Sequence, residues 1–176
     1  MLTGTLTTLT ALLPLLLAPA PPTAVRHPHF PKKVTMQLGF GQEAASISVS
    51  HLTVTFDEAG FEALPAGGTW HLGNGKFETG AELTVGGQKI EKGRYRLLGR
   101  KQLGGDWELV LDPNGKDFDN ALSDEALALK TRFLKEEPIQ EHLRIDLQPS
   151  GDQEHTTLQL EVHFDTYLAV ADIEVP

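Results

Sequence analysis

The chain contains no cysteine, and this absence excludes several classes of protein. Without a thiol there is no disulfide framework, no thiol nucleophile, no cysteine-ligated zinc or iron–sulfur cluster and no lipidated N-terminal cysteine. Basic residues are also few, since 15 Lys and Arg stand against 24 Asp and Glu, a formal net charge of −9. This balance argues against nucleic acid or an anionic membrane as the main partner.

Long apolar runs are absent as well. Residues 9–17 form an apolar stretch that Pro14 interrupts, far shorter than the roughly 20 apolar residues of a membrane span. Residues 1–25 contain no Asp, Glu, Lys or Arg. The pattern predicts a signal peptide over residues 1–24 that is removed, and hence an exported protein in the periplasm or outside the cell with no membrane span. A proline-rich tail on a cytoplasmic protein is the alternative, because no basic residue precedes the apolar stretch.

Strict alternation of apolar and polar residues is the main pattern in the rest of the chain. It runs through residues 46–56, 77–85, 94–100, 107–112, 139–147 and 158–164, with turn residues between the segments. About eight short strands with this spacing predict an all-β fold, an antiparallel β-sandwich of jelly-roll type with at most one short helix. We expect residues 25–45 to be a partly extended lead-in and residues 46–176 to be one sandwich domain.

Three local features sharpen this prediction. Gly86-Gly87 suits a two-residue hairpin turn, and Trp107 shares the alternation of a core strand. The apolar parity changes near His51, which predicts a β-bulge or bend there. Residues 123–130 have a Ser N-cap and helix-forming residues, yet residues 127–133 also alternate, so a helix and a strand both remain open.

Four segments together resemble a known family. They are WHLGNG at 70–75, FETGAELTVGGQK at 77–89, IEKGRYRL at 90–97 and DWELVL at 106–111. They are similar to the mostly exported bacterial family catalogued as domain of unknown function 2911 (DUF2911), and the resemblance extends over residues 46–175. It implies that residues 127–134 form a strand, and it brings no established substrate. The chain departs from the family at His71, where Arg is usual, at Asn74-Gly75, where Ala-Asn is usual, and at Lys76, where Glu is usual.

One glycine-rich turn concentrates the side chains best suited to bind a ligand. Trp70, His71, Asn74 and Lys76 lie within it, and Arg94 is expected on the neighbouring strand face. An aromatic ring with nearby polar groups is typical of small-molecule and sugar sites. The expected partner is a small molecule, a glycan or an envelope protein.

Metal ligands are a weaker pattern. Glu161, His163 and Asp165 alternate on one strand face, about 6.5 Å apart, and a divalent metal there needs a ligand from another strand. An exposed polar face explains the same pattern. Residues 112–120 are rich in Asp and Asn but do not match the calcium-binding spacing of an EF-hand, and an Asx-rich turn accounts for them. We therefore expect no cofactor.

Three functions remain open from the sequence. The first is non-catalytic binding through the turn at residues 70–76. The second is a metal-dependent or other hydrolase that uses His71, Glu161, His163 or Asp165. The third is a structural or assembly partner in the cell envelope, joined through a sheet edge.

Overall fold

A computed structural model describes residues 29–39, 44–150 and 157–175. In these residues the chain forms eleven strands and one short helix: β1 (Pro31–Leu38), β2 (Ala45–Leu52), α1 (Glu58–Ala63), β3 (Thr69–Trp70), β4 (Lys76–Thr79), β5 (Leu83–Val85), β6 (Gln88–Ile90), β7 (Gly93–Lys101), β8 (Trp107–Asp112), β9 (Leu127–Ala128), β10 (Arg132–Pro149) and β11 (Thr157–Glu174). The predicted signal segment, residues 1–24, lies outside the described residues. None of the described helical residues makes a helix long and apolar enough to cross a membrane.

The strands form two antiparallel sheets. The large sheet has the order β1-β2-β4-β7-β8-β9, with β3 pairing to the far end of β7, and the small sheet has the order β10-β11-β5-β6. A single cluster of buried apolar side chains joins the two sheets. The predicted all-β sandwich is confirmed.

The core follows the alternation seen in the sequence. Ile47 and Val49 of β2 and Leu109 and Leu111 of β8 are buried in the core cluster. The facing strands β10 and β11 contribute a second set of buried side chains: Leu143, Ile145, Leu147, Leu160, Val162 and Phe164. Each such apolar side chain contributes about 1.5–3 kcal/mol by leaving water, so the alternation defines which face of each strand turns inward.

Strand β1 belongs to the large sheet, although it lies in the predicted lead-in. It pairs with β2 without interruption from Pro31↔Leu52 to Leu38↔Ala45. Val34 and Met36 pack against the core cluster. The sandwich therefore includes residues 31–38.

The chain bends just beyond His51, and β2 itself has no bulge. The register with β1 is continuous through His51, and the Val54 N–H donates to the Leu52 carbonyl over 2.9 Å. Of the two predicted alternatives the structure has the bend and not the bulge, as a tight turn at residues 52–54. The turn moves the following apolar residues onto the side that packs against the core.

Residues 123–134 contain no helix: a turn in which the Ala126 N–H donates to the Ser123 carbonyl precedes strand residues at 127–128 and from 132 onwards. Leu127 pairs with Leu111 on the edge of the large sheet, and the Leu129 N–H donates to the Leu109 carbonyl over 2.9 Å. Leu129 is buried in the core. Burial and edge pairing override the local helix propensity here.

The small sheet departs from regular strand geometry at two places, the turn at Gly86-Gly87 and the backbone at Asp165. Gly86 and Gly87 have φ angles of 52° and 78° and join Val85 to Gln88 in the predicted two-residue hairpin. Asp165 has a φ angle of 49°, and the register of β10 with β11 shifts nearby, between Lys135 and Arg144. The extra residues of this β-bulge lie in β10, and beyond it the core residues of β11 change from even to odd numbers.

Candidate functional site

The turn between β3 and β4 has a left-handed backbone. Leu72, Gly73 and Asn74 have φ angles of 48°, 62° and 59°, and the Gly75 N–H donates to the His71 carbonyl over 2.9 Å. A left-handed conformation costs roughly 1–2 kcal/mol for a residue with a Cβ atom. Leu72 is nevertheless only 1% exposed. Burial of its side chain in the core offsets this strain and holds the turn in place.

This turn orients the His71 ring. Its Nδ1 accepts a hydrogen bond from the Asn74 N–H over 3.0 Å, and the His71 N–H donates to the Asn120 side-chain oxygen over 3.1 Å. A neutral imidazole with Nδ1 as acceptor carries its proton on Nε2. His71 therefore offers an Nε2–H donor at a defined position.

The structure divides the predicted ligand-binding residues between two places. Trp70 and His71 line a cavity at one end of the sandwich. Lys76 and Arg94 lie on the outer face of the large sheet, where Lys76 binds Asp117 at 2.8 Å and Arg94 binds Glu78 at 3.0 Å. Asn74 stands between them, and its side-chain oxygen accepts from the Phe118 N–H over 3.2 Å.

The cavity beside Trp70 has a volume of about 320 Å³ and a mainly apolar wall. Phe56, Phe61, Leu64 and Trp70 contribute the apolar surface, and polar groups stand among them: Asp57, Thr69, His71 and Asn120. A concave apolar site with a few fixed polar groups is the usual form of a small-molecule site. This end of the molecule is the principal candidate site.

A cluster of aromatic rings supports the cavity from below. Phe61 stacks on Trp107 with ring centroids 4.5 Å apart, and the edge of the Trp70 ring meets Phe164 at 5.1 Å. Trp107 and Phe164 are buried. Aromatic pairs of this kind add about 0.5–1.5 kcal/mol beyond the burial of their area. The wall of the cavity is therefore rigid where it contains Trp70.

Helix α1 closes one side of the cavity, and no residue of it is fully buried. The Asp57 side chain accepts from the Gly60 N–H over 3.1 Å and caps the helix. The Lys101 ammonium donates to the carbonyls of Phe61 and Glu62 at its end. This helix is not among the elements predicted from the sequence, although an Asp N-cap followed by Glu and Ala is a recognisable helix start.

A loop after β8 covers the outer face of the large sheet and surrounds Arg96. The Arg96 guanidinium donates to the carbonyls of Lys116 and Asp119 and, over 2.8 Å, to that of Ala121. It also donates to the Asp112 carboxylate over 3.3 Å. All of these oxygens except that of Ala121 belong to residues 112–120, the segment considered for calcium, and in this structure a guanidinium lies among them. The same loop carries Asn120 to His71 and thereby ties the loop to the candidate site.

Asp112 is fully buried in this arrangement. Burial acts to raise the pKa of its carboxyl, but hydrogen bonds from the Ser123 hydroxyl and N–H, the Asn114 N–H and Arg96 outweigh it. The net result is a pKa below the usual range for Asp. The sequence alternation places Asp112 on the outer face, which the loop then covers.

Glu161, His163 and Asp165 do not form an exposed polar face, so that interpretation is wrong. His163 is 3% exposed, Glu161 lies 3.9 Å from Arg144, and Asp165 has a left-handed backbone where the register of β10 with β11 shifts. Burial raises the pKa of Glu161, and Arg144 opposes this effect. Within residues 29–39, 44–150 and 157–175, no three His, Asp or Glu side chains converge as metal ligands do.

Comparison of the chain with protein-family models, with curated proteins and with solved structures finds no match. The resemblance to domain of unknown function 2911 therefore stays a prediction.

Proposed function

We propose that the protein binds a small molecule in the cavity beside Trp70 without transforming it. The cavity itself carries this proposal, because rings line it and hydrogen-bonding groups stand at fixed positions within it. Its volume of about 320 Å³ suits a ligand of one or two rings. A sugar ring or an aromatic ring with polar substituents would stack on Trp70 and bond to His71 Nε2–H.

Binding fits the polar groups of this cavity better than catalysis does. The Asp57 carboxylate caps α1, and His71 Nδ1 accepts from the backbone of Asn74. A general base that activates a nucleophile is usually oriented by a third side chain within hydrogen-bond reach. Here the acid and the imidazole are each held by backbone groups, so they orient a ligand rather than move a proton.

The proposed place of action is outside the cytoplasm, as residues 1–24 predict. Mass spectrometry of the protein recovered from cells and medium tests this directly. A mature chain that begins near residue 25 supports export, and an intact N-terminus in the cytoplasm contradicts it.

Saturation-transfer NMR tests the binding proposal with two sets of neutral probes, methyl glycosides of common hexoses and small phenols. We expect at least one probe to receive saturation from the wild-type protein. Trp70→Ala should abolish this transfer, and Leu64→Phe should reduce it by filling the cavity from another wall. Leu103→Ala is the control, because Leu103 is almost fully exposed and does not line the cavity.

The Trp70→Ala variant needs a separate check of folding, since Trp70 contacts the aromatic cluster. Leu64→Phe keeps those contacts and therefore separates loss of the site from loss of the fold. The proposal is overturned if saturation transfer persists in both variants, or if no probe receives saturation from the wild-type protein.

A further inference from the structure

The outer face of the large sheet carries rows of polar residues that run across its strands. Residues directly opposite each other in neighbouring strands share a face. One row contains Lys33, Ser50, Lys76 and Arg96, the next Thr35, Ser48, Glu78 and Arg94, and the third Gln37 and Ser46. The serines of β2 thus form a column about 13 Å long. Longer side chains of β1, β4 and β7 stand on both sides of it.

This serine column is the floor of a groove. Two adjoining cavities of about 240 and 370 Å³ lie along it, and both have Ser48, Glu78 and Arg94 in their walls. The groove exists because serine is much shorter than the residues beside it. Lys33 reaches across the column, where its Nζ lies 4.0 Å from the Glu78 carboxylate.

The hydroxyl of Ser48 is available to a ligand at the centre of the groove. Ser48 is 6% exposed and lines both cavities, and its hydroxyl bonds to no described residue. Arg96 lines one cavity, but carbonyls of the loop after β8 hold its guanidinium, and its Nε lies against Gly115. A ligand that bonds to Ser48 therefore breaks no hydrogen bond within the described part of the chain.

The charge of the groove is opposite to that of the whole protein. Five cations and three carboxylates line it, an excess of two positive charges: Lys33, Lys76, Lys92, Arg94 and Arg96 against Glu78, Asp112 and Asp117. The chain as a whole has a formal net charge of −9. A local positive excess in a concave site attracts an anion at short range.

We propose that this groove binds an acidic oligosaccharide, a chain of sugar units that carry carboxylate or sulfate groups. The serine hydroxyls both donate and accept hydrogen bonds, as sugar hydroxyls require. Lys33 and Arg94 bind the acidic groups in place of their present contacts with Glu78. The site is independent of the cavity beside Trp70, with which it shares no lining residue.

A sugar chain fits this surface better than an acidic peptide does. Peptides commonly bind to sheets at a free strand edge, where backbone groups lack partners. The groove lies on a sheet face and its floor is β2, whose backbone groups are already paired with β1 on one side and β4 on the other. Its outward residues in all three rows are polar, so they provide hydrogen bonds and charge rather than pockets for apolar side chains.

Isothermal titration calorimetry with three probes tests the proposal: short oligogalacturonates, heparin oligosaccharides and neutral cello-oligosaccharides of matched length. We expect at least one of the acidic sugars to bind and the neutral sugar to bind at least tenfold more weakly. Affinity for the acidic sugar should fall as salt is added. An oligoglutamate is included as an anion of a different class, and we expect it to bind more weakly than the acidic sugar.

Three variants separate the groove from general electrostatics. Arg94→Gln should weaken binding roughly tenfold by removing one charge-assisted contact. Ser48→Val keeps the charge and a good strand residue but fills the floor, and it should weaken binding as well. Glu78→Gln should strengthen binding several-fold, because it releases Lys33 and Arg94. Lys89→Gln, an exposed position on β6 of the small sheet, is the charge-matched control and should change nothing.

The proposal is overturned if neither acidic sugar binds, or if Ser48→Val and Arg94→Gln both leave the affinity unchanged. If Lys89→Gln weakened the binding of the acidic sugar as much as Arg94→Gln does, the binding would be a diffuse charge effect and not a defined site, and the proposal would be overturned. Oligoglutamate that binds as tightly as the sugars would reassign the groove to an acidic peptide.

Discussion

Arg96 of β7 and Asp112 of β8 form an ion pair over 3.3 Å that is almost wholly buried, with side chains 6% and 0% exposed. The two residues are cross-strand neighbours on the outer face of the large sheet. The loop that follows β8 covers them, and its carbonyls accept hydrogen bonds from both terminal nitrogens of the guanidinium. The pair thus fixes the loop that carries Asn120 to the candidate cavity.

Loss of Asp112 should destabilise the protein strongly. Asp112→Ala leaves a buried guanidinium without its counter-charge, and breaking a buried pair in this way costs about 3–5 kcal/mol. Glu78→Ala is the comparison, since it breaks the exposed contact with Arg94 and should cost less than about 1 kcal/mol. The free energy of unfolding in urea measures both. Similar losses in the two variants would contradict the central role of the buried pair.

Gly115 should tolerate no side chain. A Cβ atom at this position would overlap the Arg96 guanidinium, whereas a Cβ atom at Gly104 meets nothing within 4 Å. Gly115→Ala is therefore expected to displace the loop and cost about 1–3 kcal/mol, as overpacking does. Gly104→Ala should leave the free energy of unfolding nearly unchanged. A loss of the same size at both glycines would show that the loop does not depend on this close approach.

Two buried histidines should make stability depend on pH. Burial lowers the pKa of His51 below 6.5, Lys32 adds to the effect, and the Leu143 carbonyl and Asp146 oppose it. Burial also lowers the pKa of His163, together with Arg144 and against Glu136 and the Asp165 backbone. Below pH 6.5 the unfolded chain therefore binds more protons than the folded one. The free energy of unfolding should fall as the pH drops from 6.5 towards the folded pKa values.

Urea unfolding between about pH 7 and pH 5 measures this slope. His163→Leu removes one of the titrating groups and should flatten it. His142→Leu makes the same substitution at an exposed position of β10 and is the control for the exchange of His for Leu. An unchanged slope in His163→Leu would show that His163 does not contribute.

The stability of α1 should depend on its cap. Asp57→Ala removes the acceptor for the Gly60 N–H, which typically costs about 1 kcal/mol. Because α1 buries no residue fully, this loss should appear as faster amide hydrogen exchange in residues 58–63, with little change in β8. Glu62→Ala, in the same helix, should leave the exchange rates close to those of the wild type. Equal acceleration in both variants would show that the cap is not what holds the helix.

The sandwich could be predicted because its strands obey a local rule. Each buried strand alternates with a period of two residues, and Gly86-Gly87 supplies the positive φ angles that a tight hairpin requires. Both signals lie within a few neighbouring residues. The inward positions of Ile47, Val49, Leu109 and Leu111 follow from this rule, and burial in the folded protein agrees with it.

The candidate site could be predicted only in part. Trp70 and His71 lie together in the cavity beside α1, but Lys76 and Arg94 belong to the groove on the outer face. Residues that are close in one turn of the sequence alternate between the faces of a sheet and so separate in space. Phe56 stands at the end of the alternation of residues 46–56, whereas Phe61, which completes the cavity with it, comes from a segment without strand periodicity.

The sequence by itself determined the all-β class, the inward side of most strands and the positions of several turns, because these depend on neighbours two residues apart. Only the tertiary structure decided that Arg96, Asp112 and His163 are buried. Alternation assigns a side chain to one face of a strand, but residues distant in the sequence decide whether that face is covered. The serine column is a further case, because strands distant in the sequence bring cations to it: β1, β4 and β7 place Lys33, Lys76 and Arg94 around the serines of β2.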